Sequence, residues 1–299
     1  GIDAQVVDAD TLKPQSPEFF CHGNVALATG NTPDVHNASF GGVTNLDWRL
    51  FTLVPGKLSI RLPDGFGIPM RGREAIDVDS MTLNMNVTDR TVRVRVKADV
   101  QFVPDDATAQ PMTPVFRRAV YGLMPIGDAQ LTPALLEAVK KACTTCGPHP
   151  GESASTGGIL GKFGKDMTIH WMVPPGRFEY RTEVTAQRDL PFAKTTHQVT
   201  AHLHPYGKSV TLRDMTTGRT VATLGSRDYT DKVGVAHMDE LASTDGIALK
   251  RGHRYELVTV YENTTDQPID AMSIVYLYLA EKQFDPRNVH PARKSSAMK

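Results

Sequence analysis

Residues 91–100 read Thr-Val-Arg-Val-Arg-Val-Lys-Ala-Asp-Val, with an apolar side chain at every second position. A period of two suits a β-strand buried on one face, here the face of Val92, Val94 and Val96, because successive side chains of a strand project to opposite sides. Residues 199–212, 255–261 and 273–279 read the same way. In the last run Ile274, Tyr276 and Tyr278 lie opposite Val275, Leu277 and Leu279. Turn signals separate these runs at Pro63-Asp64-Gly65, Pro174-Pro175-Gly176 and Lys250-Arg251-Gly252. Many short strands divided by Gly and Pro turns predict an all-β fold of two β-sandwich, jelly-roll-like domains.

One short helix is expected over residues 131–142. Thr132 is placed to cap it, Pro133 fits its first position, and Leu135, Leu136 and Val139 share a face, with Lys140 and Lys141 near the C-terminus. A Gly/Ser-rich stretch at 147–164 follows and predicts the division between an N-terminal domain, 1–164, and a C-terminal domain, 165–299, whose polar end from 285 is loose. Lys plus Arg and Asp plus Glu both number 33, so no net field draws the chain to nucleic acid. No apolar run approaches the ~20 residues of a membrane-spanning helix. The sequence carries no Gly-x-Ser-x-Gly, no phosphate-cradling glycine loop and no basic patch interleaved with aromatics.

Cys143-Thr-Thr-Cys146 reads as a redox pair, half of a zinc site or a small disulfide loop. Zinc would want a second pair, and a redox role a βαβ setting, so a local disulfide in a secreted, periplasmic or cell-surface protein is the favoured reading. Cys21 is then left over. The chain opens on Gly1, as expected if a targeting segment or a tag has been removed.

His202-Leu203-His204 is the sharpest local feature. Residues two apart on a strand project to one face, so both imidazoles can share a metal. Taken alone, the pair also reads as surface histidines bonded to water. It belongs, however, to the longer string His202-Leu203-His204-Pro205-Tyr206-Gly207-Lys208. Val173-Pro174-Pro175-Gly176 with Phe178-Glu179-Tyr180-Arg181 precede it, and Tyr261-Glu262-Asn263-Thr264 and Asp270-Ala271-Met272 follow.

In that order the four motifs resemble the copper type II, ascorbate-dependent monooxygenases, the family of peptidylglycine α-hydroxylating and dopamine β-monooxygenases, over residues 165–280. The resemblance implies one copper per chain held by His202, His204 and Met272. It further implies dioxygen and a reductant such as ascorbate as partners, and a small-molecule or peptide substrate hydroxylated at C–H. The thioether suits Cu(I) and the imidazoles either oxidation state.

The N-terminal half departs from the family. Its Leu62-Pro63-Asp64-Gly65-Phe66-Gly67 turn resembles the family's, but His36-Asn37 stands where the family has a histidine pair, and Asn86 where it has a further histidine. The electron-transferring copper of the family is therefore expected to be absent, with His22 and His36 the remaining candidate contributors. In the substrate pocket, Thr200 and Ile274 replace the family's arginine and asparagine, and Tyr276 alone remains as a pocket residue. Three functions fit: a copper monooxygenase, a copper storage, delivery or sensing protein on the same fold, and a metal-free β-sandwich binding module.

Overall fold

A computed structural model describes residues 1–27, 49–70, 72, 74–104, 107, 110–133, 167–188 and 194–281. The strands among them are β1 (Ile2–Asp8), β2 (Phe20–Leu27), β3 (Arg49–Leu53), β4 (Ser59–Ile60), β5 (Phe66–Gly67), β6 (Ile76–Thr82), β7 (Val94–Val100), β8 (Thr113–Tyr121), β9 (Met124–Pro125) and β10 (Met167–Thr168). They continue as β11 (Trp171–Val173), β12 (Gly176–Glu183), β13 (Lys194–Leu203), β14 (Gly207–Asp214), β15 (Arg219–Asp228), β16 (Val235–Met238), β17 (Leu241–Leu249), β18 (Tyr255–Asn263), β19 (Ile269–Ala271) and β20 (Ser273–Ala280). A single turn of α-helix, α1 (Thr185–Arg188), and a 3-10 turn at Pro17–Phe19 accompany them. The fold is all-β and sandwich-like, as the alternation predicts. Beyond Pro133, the helix expected over 131–142 lies outside the described residues, as do Cys143, Cys146 and the 147–164 stretch. No helix among the described residues is long and apolar enough to cross a membrane.

The alternation at 91–100 becomes β7, which pairs antiparallel with β1 from Asp8↔Val94 to Ile2↔Val100. Val94, Val96 and Ala98 are half-buried while Arg95, Lys97 and Asp99 are exposed, so the period of two does mark a single covered face. Two five-stranded sheets build the sandwich, one ordered β12-β18-β14-β15-β16 and the other β17-β13-β20-β8-β5. Two three-stranded sheets, β4-β1-β7 and β3-β2-β6, come from the N-terminal half. That half also supplies β5 and β8 to the second large sheet, where β8 pairs with β20 from Ile274↔Tyr121 to Ala280↔Val115.

All eight residues of β20 are buried. It is a central strand, between β13 and β8, and it is covered on both sides. Val275, Leu277 and Leu279 join the apolar core, in which each fully buried Val or Leu contributes ~1.5–3 kcal/mol. The opposite face, with Ile274, Tyr276 and Tyr278, meets the N-terminal half. There Phe51 of β3 lies against Tyr278, with ring centres 6.2 Å apart.

The run at 199–212 divides into two strands. It breaks at His204-Pro205-Tyr206, where Tyr206 has φ +70° and the Gly207 N–H donates to the His204 carbonyl at 3.1 Å. Pro205 has no N–H to give a sheet ladder, so the chain turns there and passes from one large sheet to the other. Gly207 is required by space: a Cβ there would come within 2.9 Å of the Leu203 Cβ and 3.1 Å of the His204 carbonyl oxygen. The glycine of Pro174-Pro175-Gly176 has a different cause, a φ of +116° that only glycine adopts readily as β12 begins.

Candidate metal centre

Four histidines, one aspartate and one methionine gather where the second large sheet meets the N-terminal half. His202 pairs with Ile274 across β13 and β20, so its side chain shares the Ile274 face and points toward the N-terminal sheet β3-β2-β6. Val199, Ala201 and Leu203, at the intervening positions, are fully buried in the apolar core. Extending the same register by one step past Leu203↔Ser273 sets His204 opposite Met272. The short β11–β19 pair, with Trp171↔Ala271, likewise sets His170 opposite Met272 at its next step. Two ladders thus deliver His170 and His204 to the two sides of one residue.

The Tyr261 hydroxyl ties these ends together. It accepts the His204 N–H at 3.0 Å and the Met272 N–H at 3.2 Å, and it donates to the Met272 carbonyl at 2.7 Å. Tyr261 is fully buried, and burial pushes its phenol well above the ordinary range. Asn263, two residues on, holds the neighbouring turn by donating to the carbonyls of Val173 and Gln267 at 2.9 and 2.7 Å. Tyr261 and Asn263 therefore link Val173, the His204 turn and Met272, which are far apart in the chain.

Asp270 sits among the imidazoles. Its carboxylate oxygens lie 3.1 Å from His170 Nδ1, and Oδ2 lies 3.0 Å from His204 Nδ1. Burial alone would push this carboxyl up, but the attraction of His204 and the hydrogen bonds from His170 and His204 outweigh it and hold the group well below the usual carboxylate range. An ionised carboxylate only accepts hydrogen bonds, so both Nδ1 atoms carry their protons. With Nδ1 as the donor, Nε2 is the nitrogen of each ring left to face a metal. The one ligand atom from each of His170, His204 and Asp270 can be chosen so that all lie within 4.8 Å of one another.

His202 is 2% exposed, and its Nδ1 is buried without a hydrogen-bond partner. Burial, reinforced by the positive charge that His204, His22 and His170 would carry, holds its pKa well below the ordinary value, so the ring is neutral. A buried, unpaired ring nitrogen costs free energy that a metal ion or an ordered water would recover. Next to it lies a small cavity with room for about one water-sized particle, lined on one side by His22 and Asn24 and on the other by His202, Met272, Ile274 and Tyr276.

His22 is 6% exposed, and its ring meets that of His202 edge-on, centres 6.2 Å apart. Burial lowers its pKa to about 4, with Arg49 and His204 adding to the effect. Burial also pushes the neighbouring Cys21 thiol up to about 12, and Cys21 is free and buried rather than paired.

The residues expected as ligands fall in one neighbourhood, but not in one contact. His202 and Met272 line the same cavity, whereas His204 is turned to Asp270 and His170. Ring centres of His202 and His204 are 5.2 Å apart, and those of His170 and His204 5.5 Å. Tyr276 lines the cavity, with the Arg117 guanidinium 4.4 Å over its ring. His36 lies outside the described residues. The amide of Asn86 is engaged on both sides by the backbone of Val233, at 2.9 Å each. His197 stacks on Phe66 and donates from Nδ1 to the Ser243 carbonyl, while His237 and His253 pair with Asp239 and Asp214. His170 had no signal of its own in the sequence: it lies 32 residues before His202 and joins the group only through the β11–β19 ladder.

No protein-family model matches the chain, and no curated protein matches it. Among solved structures it has a slight similarity to the Gx strain of infectious bursal disease virus, with 8% identity over 94% of this chain and 56% of that one, at a TM-score of 0.21. The VP2 subviral particle of the same virus gives 9% identity over 97% and 58%, at a TM-score of 0.20. The chain spans little more than half the length of either, and similarity at this level carries no argument about function.

Proposed function

We propose that this chain is a copper-binding protein related to the ascorbate-dependent copper monooxygenases, with one copper held by His202, His204 and Met272. The observation that carries the reading is the Asp270 carboxylate at His204 Nδ1. A carboxylate in that position fixes the ring's tautomer and orientation and leaves Nε2 as the donor, the arrangement by which proteins orient histidine ligands from behind. The donor set fits the ion, with imidazoles and a thioether that suit Cu(I). Imidazoles that share a metal at ~2.0 Å per nitrogen hold their ring centres about 5–6 Å apart, and His202 and His204 stand at 5.2 Å.

Copper there would supply one-electron redox chemistry and a place for dioxygen. The remaining work belongs to the chain. Tyr261 sets the backbone of His204 and Met272, Asp270 holds the Nδ1 protons of His170 and His204, and Ile274 and Tyr276 wall the small cavity beside His202 and Met272. His202→Ala and His204→Ala should each lower copper(I) affinity at least a hundredfold when copper is supplied with ascorbate and a competing bicinchoninate chelator. Ascorbate-dependent oxygen uptake that vanishes in both variants would favour the monooxygenase over storage or delivery. Copper affinity unchanged by either substitution would end the reading.

A second reading rests on a separate observation, the closeness of the ligand atoms of His170, His204 and Asp270. Two histidines and a carboxylate are the ligand set of harder ions such as Fe(II). A preference for Fe(II) over Cu(I) in the same competition, lost in His170→Ala, would favour it.

A further inference from the structure

His22 stands outside every motif that relates this chain to a copper enzyme. It lies on β2, in the N-terminal half, about 180 residues from His202. Yet His22, His202 and Met272 line one small cavity, and the two imidazoles meet across it. Resting on the copper reading above, we infer that His22 is a further ligand of the same copper, so that the metal joins the N-terminal sheet β3-β2-β6 to the C-terminal sandwich.

Three observations carry this inference. The first is distance: two imidazoles bound to one metal at ~2.0 Å per nitrogen can hold their ring centres up to about 6.4 Å apart, and these stand 6.2 Å apart. Met272 lines the same cavity and adds its thioether to the two imidazoles. The second is size, because the cavity takes about one water-sized particle and so accommodates a single ion.

The third is rigidity. A buried polar chain fastens β2 to the sandwich just beside His22. Arg117 of β8 donates to the Thr52 hydroxyl at 2.8 Å, Thr52 donates to Asn24 at 2.7 Å, and Asn24 donates to Asp79 at 3.0 Å. Asn24 is two residues from His22, so the strand that carries the imidazole is tied through Thr52 to Arg117 of β8 beside the cavity.

The test uses the full chain and copper(I) with bicinchoninate as competitor under ascorbate. His22→Ala should weaken affinity ten- to a hundredfold while stoichiometry stays at one, and X-ray absorption should count one imidazole fewer than in the unsubstituted chain. His170→Ala should leave that count unchanged. His22→Gln, with closer bulk, repeats the comparison should the alanine variant lose its far-ultraviolet circular dichroism. Hydrogen exchange on the unsubstituted chain needs no variant: copper should slow exchange in β2 as well as in β13 and β20. The inference is overturned if His22 variants bind as tightly as the unsubstituted chain and copper protects β13 and β20 alone. Should His202→Ala also bind unchanged, or the unsubstituted chain take up no copper, the underlying copper reading falls, and this inference with it.

Discussion

Replacing Tyr261 by Phe removes a single oxygen, and the structure says what that oxygen holds. It accepts two backbone N–H groups, of His204 and Met272, and donates to the Met272 carbonyl, all in a fully buried setting. Loss of a typical hydrogen bond costs about 1 kcal/mol, and a buried group left without a partner costs about 1–3 kcal/mol. Three groups lose their partner together, so Tyr261→Phe should destabilise the chain by roughly 3–5 kcal/mol, allowing for partial relaxation. Tyr255→Phe is the internal control. Its hydroxyl accepts the Lys250 N–H at 2.8 Å, and the cost of losing that bond should be about 1 kcal/mol. Urea unfolding followed by tryptophan fluorescence reads both, with the slope checked for constancy. Copper affinity supplies the second reading, since freeing the His204 and Met272 backbone should weaken it about tenfold, whereas Tyr255→Phe should leave it unchanged. A stability loss below about 1 kcal/mol for Tyr261→Phe, or equal losses in the two variants, would refute the claim that one hydroxyl sets the site.

Three further outcomes follow from single groups. Asp270→Asn should lower copper affinity about ten- to a hundredfold, because the amide no longer fixes both imidazole tautomers, while His202 and Met272 keep their places; titration against bicinchoninate measures it. Cys21 should resist alkylation by iodoacetamide at pH 8 in the folded chain and react only after denaturation, since burial both covers the thiol and pushes its pKa to about 12; peptide mapping by mass spectrometry reads the site. Asp214 is pushed up by burial, but bonds from His253 and Thr217 outweigh that and hold it below the usual range. A carboxyl depressed on folding adds stability above its unfolded pKa of about 4 and loses it as pH falls through the folded value. Asp214→Asn should therefore flatten the fall in stability below about pH 4, as followed by urea unfolding across pH.

The parts of this fold that show in the sequence are those set by nearest neighbours along one strand. The alternation of Val94, Val96 and Ala98 foretells β7 because one covered face is all that it requires. The glycines at 176 and 207 stand in recognisable strings, and each has a local cause, a positive φ or a close approach to Leu203. The break of the 199–212 run at Pro205 needed more, since whether a proline ends a strand depends on which sheet the next residues join.

The site divides along the same line. His202, His204 and Met272 are named in the sequence through the resemblance of four ordered motifs to a copper family, as its expected ligands. His170 and Asp270 come together through a three-residue ladder, and His22 through the stacking of one sheet on another, relations that leave no trace in spacing. The entry of β8 into the C-terminal sheet is equally silent, because pairing with β20 is decided across about 160 residues of chain.

The most direct test of the central claim is the copper content of the full chain after loading with copper and ascorbate and exhaustive dialysis, measured by plasma emission spectrometry against protein concentration. One copper per chain is predicted, falling to near zero in His202→Ala. No retained copper, or one copper retained in both the unsubstituted chain and His202→Ala, would contradict the assignment of His202, His204 and Met272 as the metal's ligands.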